Sequence, residues 1–316
     1  MYAMATESEG LTLGFTPVLP VTDILPVTSA VSTVDPAGGG SSLIVTSKIM
    51  HCTVGSIGAV GNLFVIIVIL NSKSMRTRST NILITLQSFI DLMATIFIII
   101  NNSMEEKLTM KDDSIASEIY CRLWLMRLPV WGFMTMSTYN LVSIGIERYI
   151  AVVWPFKASK DMVKRNIGWI ILFEFTFGFF PHYAINTPTS TIKDGFCVYM
   201  GNVESPSLQI ALLSIILVEQ FFIPLSLLLF MYSHMAIVLG RQMLKSDAKS
   251  YLDDNHTSSA RDTRMKNAQN NMLQTCVLVT LFFIICWTPI CSYFYIYRVH
   301  SAISLTTFLG HALFHC

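Results

Sequence analysis

Charged side chains are scarce in this chain: Asp, Glu, Lys and Arg make up 13% of its 316 residues, about half of the roughly 25% usual in water-soluble domains. Hydrophobic residues reach 53% and the mean hydropathy is +0.56, which excludes an ordinary soluble enzyme and points to a protein of the bilayer. A net charge of +1 gives no electrostatic reason to propose a nucleic-acid partner, since phosphate binding needs a concentrated basic face. The seven cysteines, 52, 121, 197, 276, 286, 291 and 316, are too scattered for a disulfide scaffold, and their spacing fits no zinc site. No cleavable leader is expected, because the N-terminus lacks a basic start followed by an apolar run; export then relies on the first membrane helix. Internal repeats and matched Gly/Pro-broken helices, common in secondary transporters, are also missing.

The first forty residues are rich in Thr, Ser, Pro and Gly, with Glu7, Glu9, Asp23 and Asp35 as their only charges. Such a composition predicts a disordered tail, with residues 1–43 outside the cell and a membrane domain over 44–316. Cys52 to Leu70 is a charge-free run of nineteen residues, close to the ~20 that cross ~30 Å of hydrocarbon as a helix. Comparable spans follow at about 79–102, 119–150, 166–186, 207–238 and 268–297, and a seventh begins near Ala302. The expected fold is an all-α membrane bundle of seven helices, the last incomplete at Cys316. Thirteen of the 21 Lys and Arg residues fall in the loops after spans one, three and five. Cytoplasmic loops retain such charge, so the N-terminus is expected outside and the loop at about 239–267 inside.

Polar residues within the spans carry the functional signal, since a charge at membrane depth costs about 2.5–3.5 kcal/mol even on insertion scales. Asp91 lies mid-span with no neighbouring cation in sequence. Glu174 and Glu219 each put a carboxyl group into an apolar run, in position to share a proton or hydrogen bond between spans four and five. Glu147-Arg148-Tyr149 closes span three at the cytoplasmic side. In span six Phe283 and Trp287 precede Pro289, whose missing N–H predicts a kink. Span five carries Pro224 with Tyr232 eight residues on, and Gly61-Asn62 in span one suits a close helix contact.

This order of motifs, one per span, resembles the rhodopsin-like G-protein-coupled receptors from about Ile44 to Cys316. The resemblance implies a plasma-membrane, multi-pass receptor with no enzymatic activity, coupling an extracellular ligand to a heterotrimeric G protein. It makes Asn62 the helix-one asparagine, Trp154-Pro155 the turn into loop two, and Trp169 the helix-four tryptophan. Asp91 and Ser137 become a pair for an allosteric sodium ion, with no other cofactor implied. Glu147, Arg148, Tyr149, Tyr232, Phe283, Trp287 and Pro289 become the coupling and switch residues, and Cys121 and Cys197 an extracellular disulfide. Cys121 and Arg148 are 27 residues apart, two more than is usual in the family, so the top of helix three is expected to start early or contain a bulge. The chain stops before the family's asparagine-proline-tyrosine motif, which suggests a fragment of a longer receptor.

Amine receptors place an aspartate eighteen residues before the arginine, where Val130 stands here, and retinal pigments need a helix-seven lysine where His315 falls. Neither ligand class is expected. The upper part of helix six, Tyr293-Phe294-Tyr295-Ile296-Tyr297-Arg298, looks most like neuropeptide receptors. Candidate ligand contacts are Arg127, Arg298 and His311 for an amide or acidic group, with Trp131, Gln220 and Phe294 deeper in the bundle. Two alternatives stand beside this one. An ion-coupled transporter or channel would use Asp91, Glu174 and Glu219, and a non-signalling truncated receptor would modulate a full-length partner.

Overall fold

The computed structural model describes residues 39–103, 114–154, 162–193, 195–250, 274, 277–288 and 292. Pro289, Phe294, Arg298, His311 and the seventh span lie outside the described residues. Among them, the architecture is almost wholly helical. Span one is α1 (Gly39–Asn71), followed by the single turn α2 (Lys73–Arg76) and span two, α3 (Ser79–Ser103). Span three comprises α4 (Ile115–Ile119), a π-helical segment at Tyr120–Leu125, and α5 (Leu128–Val153). Span four is α6 (Met162–Thr189), which leads into a hairpin of β1 (Thr191–Lys193) and β2 (Phe196–Val198). Span five joins α7 (Pro206–Leu217), a second π-helical segment at Val218–Phe222, and α8 (Ile223–Ser250). The described part of span six is α9 (Val277–Thr288).

Two boundaries differ from expectation. Helix α1 starts at Gly39, inside the stretch assigned to a disordered tail, and α8 continues to Ser250, well into the expected third loop. Apolar runs mark the part of a helix that lies in lipid. Beyond it, each added residue gains a hydrogen bond at little nucleation cost, so a long span extends past its apolar limits.

By length and composition Lys48–Asn71, Ser79–Ser103 and Pro206–Arg241 are able to cross a membrane. Helices α5 and α6, of 26 and 28 residues, reach roughly 39 and 42 Å at 1.5 Å per residue, which is also enough. Their polar content is high because their polar groups face protein: Thr135, Thr138, Asn140, Glu174, His182 and Asn186 are all buried. Large apolar side chains point the other way, with Trp169 73% and Val60 70% exposed, as expected where lipid is the solvent.

Small residues set how closely the helices approach. A Cβ on Gly178 of α6 would lie 2.8 Å from the Gly132 carbonyl oxygen of α5, and one on Gly132 would lie 2.5 Å from the Phe179 ring. This glycine pair lets α5 and α6 cross almost backbone to backbone, the usual way helices gain packing energy in lipid. Between α1 and α3 the equivalent positions are Gly55, against Ile99, and Gly58, against Thr95. Gly61, read from the sequence as the contact glycine, has nothing within 4 Å of a Cβ among the described residues. Its neighbour Asn62 donates to the Gly58 carbonyl of its own helix at 3.0 Å.

The extra residues in span three are absorbed where the sequence interval demanded. The π-helical turn widens the helix, and Arg127 then adopts φ 54° and ψ 33°, a left-handed conformation that ends one helix and starts the next at Leu128-Pro129. Proline near the start of α5 needs no partner for its missing N–H. The Cys121–Cys197 disulfide, with its Cα atoms 5.5 Å apart, ties this widened turn to β2 across 76 residues of sequence.

Gly178→Ala is expected to lower the unfolding temperature of the solubilised protein, because the methyl group meets backbone that has no rotamer to change. Overpacking of this kind costs about 1–3 kcal/mol. Gly61→Ala is expected to leave it unchanged, and equal effects from the two would refute the assignment of the contact.

Candidate functional site

Three polar or aromatic clusters are strung along α5. At its upper end Trp131 stacks on His182 of α6, with ring centroids 6.2 Å apart and planes 24° off parallel. Below it Gln220, presented by the π-helical segment of span five, donates to Thr135 Oγ1 at 2.7 Å and makes a very close contact with His182 Nε2. Thr135 and His182 are also in hydrogen-bond reach, 3.2 Å apart. All three are at least 95% buried, so three helices share one dry polar knot.

Trp131 also packs against a buried aromatic cluster of Phe221, Phe283 and Trp287. The Phe221 and Phe283 rings stack at 5.7 Å, and Phe283 meets Trp287 at 6.0 Å. A side chain from the upper part of span three thereby packs against the cluster that holds Phe283 and Trp287 of span six. Arg127 lies one turn above Trp131, at the left-handed break.

Halfway down, Asp91 of α3 accepts a hydrogen bond from Ser137 Oγ of α5 at 2.7 Å. Gln87 Nε2 lies 3.0 Å from both Asp91 carboxyl oxygens and 2.5 Å from Ser137 Oγ. Its other end, Gln87 Oε1, accepts from Asn140 Nδ2 at 2.8 Å, and Asn140 also donates to the Leu83 carbonyl. Nearby, Glu174 is fully buried and accepts from Ser143 Oγ at 2.7 Å. Tyr139 donates to the Glu219 backbone carbonyl at 3.1 Å. The Glu174 carboxyl group and the Glu219 backbone are thus joined to α5, whereas the Glu219 carboxyl oxygens are buried without a hydrogen-bond partner among the described residues, and no hydrogen bond between Glu174 and Glu219 is present there.

At the cytoplasmic end Arg148 Nε lies 3.4 Å from Glu147 Oε2. Thr80 of α3 donates to the same carboxylate at 3.0 and 3.1 Å, so the residue that holds Arg148 is itself held by span two. The Tyr149 hydroxyl lies 2.8 Å from His234 Nδ1 of α8. Tyr232 is buried in the apolar cluster of Val142, Val152, Leu228, Met231, Met235 and Leu239 between α5 and α8.

Sequence reasoning singled out Asp91, Ser137, Trp131, Gln220, Phe283 and Trp287, and each is in one of these clusters. It missed Gln87, Asn140, Thr80, Thr135, His182 and Phe221. A histidine following proline in an apolar span, and a glutamine one turn before an intramembrane aspartate, were the available signals.

The chain matches the model of the 7 transmembrane receptor (rhodopsin family) over residues 61–316, and it belongs to that family. It is 24% identical to neuropeptide Y receptor type 1 of Xenopus laevis over 265 residues, 78% of this chain and 66% of that one. It is 26% identical to the human substance-K receptor over 241 residues, 75% and 56% of the two chains. Against octopamine receptor 1 of Lymnaea stagnalis it is 28% identical over 166 residues, 51% of this chain and 24% of that one. The chain covers less than two-thirds of the length of each of these relatives. Family membership makes it a multi-pass membrane protein.

Gln220→Leu leaves Thr135 and His182 buried without their shared partner, a loss of about 1–3 kcal/mol. The unfolding temperature is expected to fall, as read by fluorescence-detected melting; an unchanged value would show that the knot contributes nothing to stability.

Proposed function

We propose that this chain is the transmembrane core of a plasma-membrane receptor that passes the binding of an extracellular peptide to a cytoplasmic heterotrimeric G protein. One observation carries the reading: Trp131 joins the outer part of span three to the Phe221–Phe283–Trp287 cluster. A ligand that moves Trp131, with Arg127 and Gln220 beside it, repacks that cluster, and span six pivots at Pro289. Arg148 then leaves Glu147 to engage the G protein and Tyr232. A ligand drives this change only by its difference in affinity for the two arrangements.

A peptide ligand is supported by relatives named for neuropeptide Y and substance K, with Arg298, Phe294 and His311 as further contacts. The octopamine receptor match supports an amine less well. Helix α5 carries Glu147 as its one acidic residue, at the cytoplasmic end, and Val130 stands where an amine receptor needs its carboxylate. The N-terminus outside and the Lys- and Arg-rich loops inside complete the topology.

Arg148→Ala is expected to abolish agonist-stimulated nucleotide exchange while surface expression is retained. Undiminished exchange would remove Arg148 from the coupling site. Thr80→Val takes away both hydrogen bonds to Glu147 at nearly constant volume. If it releases ~1.4 kcal/mol of the closed state, ligand-independent exchange rises about tenfold. Basal exchange at or below that of the unaltered receptor would show that Thr80 does not hold the lock.

A further inference from the structure

A sodium ion at Asp91 and Ser137 is what the family implies, and the residues around that pair are the test of whether it fits. A hard cation takes oxygen ligands at roughly 2.3–2.6 Å, so an ion held by this pair needs the point that faces the Asp91 carboxylate and Ser137 Oγ together. Gln87 Nε2 stands there, 3.0 Å from each carboxyl oxygen and 2.5 Å from the hydroxyl. The orientation of the amide is settled by its other end. Gln87 Oε1 accepts from Asn140 Nδ2 at 2.8 Å, and turning the amide over would set its oxygen against a carboxylate and its NH2 against another NH2. The donor set therefore does not fit a cation.

We infer that Gln87 is a built-in substitute for the cation: its side-chain amide takes the place of sodium between Asp91 and Ser137 and makes the receptor insensitive to the ion. Three features make this substitution stable. Gln87 and Asp91 are four residues apart on α3, so their side chains meet on one face without strain. The amide supplies two N–H donors to three oxygens that have few other donors at membrane depth, and a buried acceptor without a donor is costly. Asn140 is completely buried and donates to both Gln87 Oε1 and the Leu83 carbonyl, which holds the amide from behind. A mobile ion is thereby replaced by a covalently tethered dipole. The link between spans two and three becomes part of the fold and is no longer set by the ionic composition of the medium. That the chain acts as a receptor rests on the proposed function; the occupancy of the site does not.

The test uses sodium alone as the probe. The solubilised receptor is melted in sodium chloride and in N-methylglucamine chloride of equal ionic strength, as the unaltered protein and as Gln87→Leu, Gln87→Met and Asp91→Asn. The unaltered receptor is expected to melt at one temperature in both salts. The two Gln87 variants are expected to gain about 2–4 °C in sodium, the shift of a site filled at a few times its Kd, and the gain is lost when Asp91→Asn is added. Sodium stabilisation of the unaltered receptor that Asp91→Asn removes would overturn the inference, whether or not the Gln87 variants fold. It is equally overturned if those variants fold and gain nothing from sodium. Melting requires no G protein, so failure here is distinguishable from failure of the receptor assignment, which the Arg148→Ala exchange assay reads.

Discussion

Hydrocarbon offers no hydrogen bonds, and every polar group carried into it must find its partner inside the protein. Here α5 meets much of that requirement for its neighbours, although both Glu219 carboxyl oxygens and Glu174 Oε2 are buried without a hydrogen-bond partner among the described residues. Asp91 on α3, Glu174 on α6 and the Glu219 carbonyl in span five all bond to α5 side chains, through Ser137, Ser143 and Tyr139. Helix α5 is the central strut of the described bundle, because α3, α6 and span five all bond to its polar face. Its glycine-lined crossing with α6 places these groups close enough to bond.

The same arrangement makes the bundle suitable for transmission. Along α5 the polar knot under Trp131 joins it to α6 and span five, while the Gln87–Asp91–Ser137 set and the Thr80–Glu147–Arg148 cluster join it to α3 at two depths. Polar contacts of this kind are discrete, made or broken, and close packing does not deform continuously. In the described residues span six packs on span five through aromatic rings, Phe283 and Trp287 with Phe221.

Much of this was legible in the sequence. Apolar runs located the spans that the structure describes, and the 27-residue interval from Cys121 to Arg148 announced an irregularity that the structure resolves into a π-helical turn and a left-handed Arg127. The cysteine pairing came from family resemblance. What stayed hidden is the choice of partner. A polar residue in an apolar run declares that it needs one, but the direction it faces depends on helix rotation, and that is set by contacts such as Gly132 with Gly178. Gln87 and Thr80 looked like ordinary polar residues of span two until Asp91, Ser137 and Glu147 were placed opposite them. Gly61 has no close contact among the described residues, whereas Gly55 and Gly58 on the same helix do.

The pivot of span six is the claim on which signalling depends, and a distance measures it most directly. Spin labels at Ala151 on α5 and Val277 on α9, both exposed positions, report the separation of spans three and six by electron–electron resonance. Adding nucleotide-free G protein to the receptor is expected to move the distance distribution outward and to leave it unmoved when Pro289 is replaced by Ala. An unchanged distribution in the unaltered receptor, with G protein bound, would contradict the pivot and the coupling built on it.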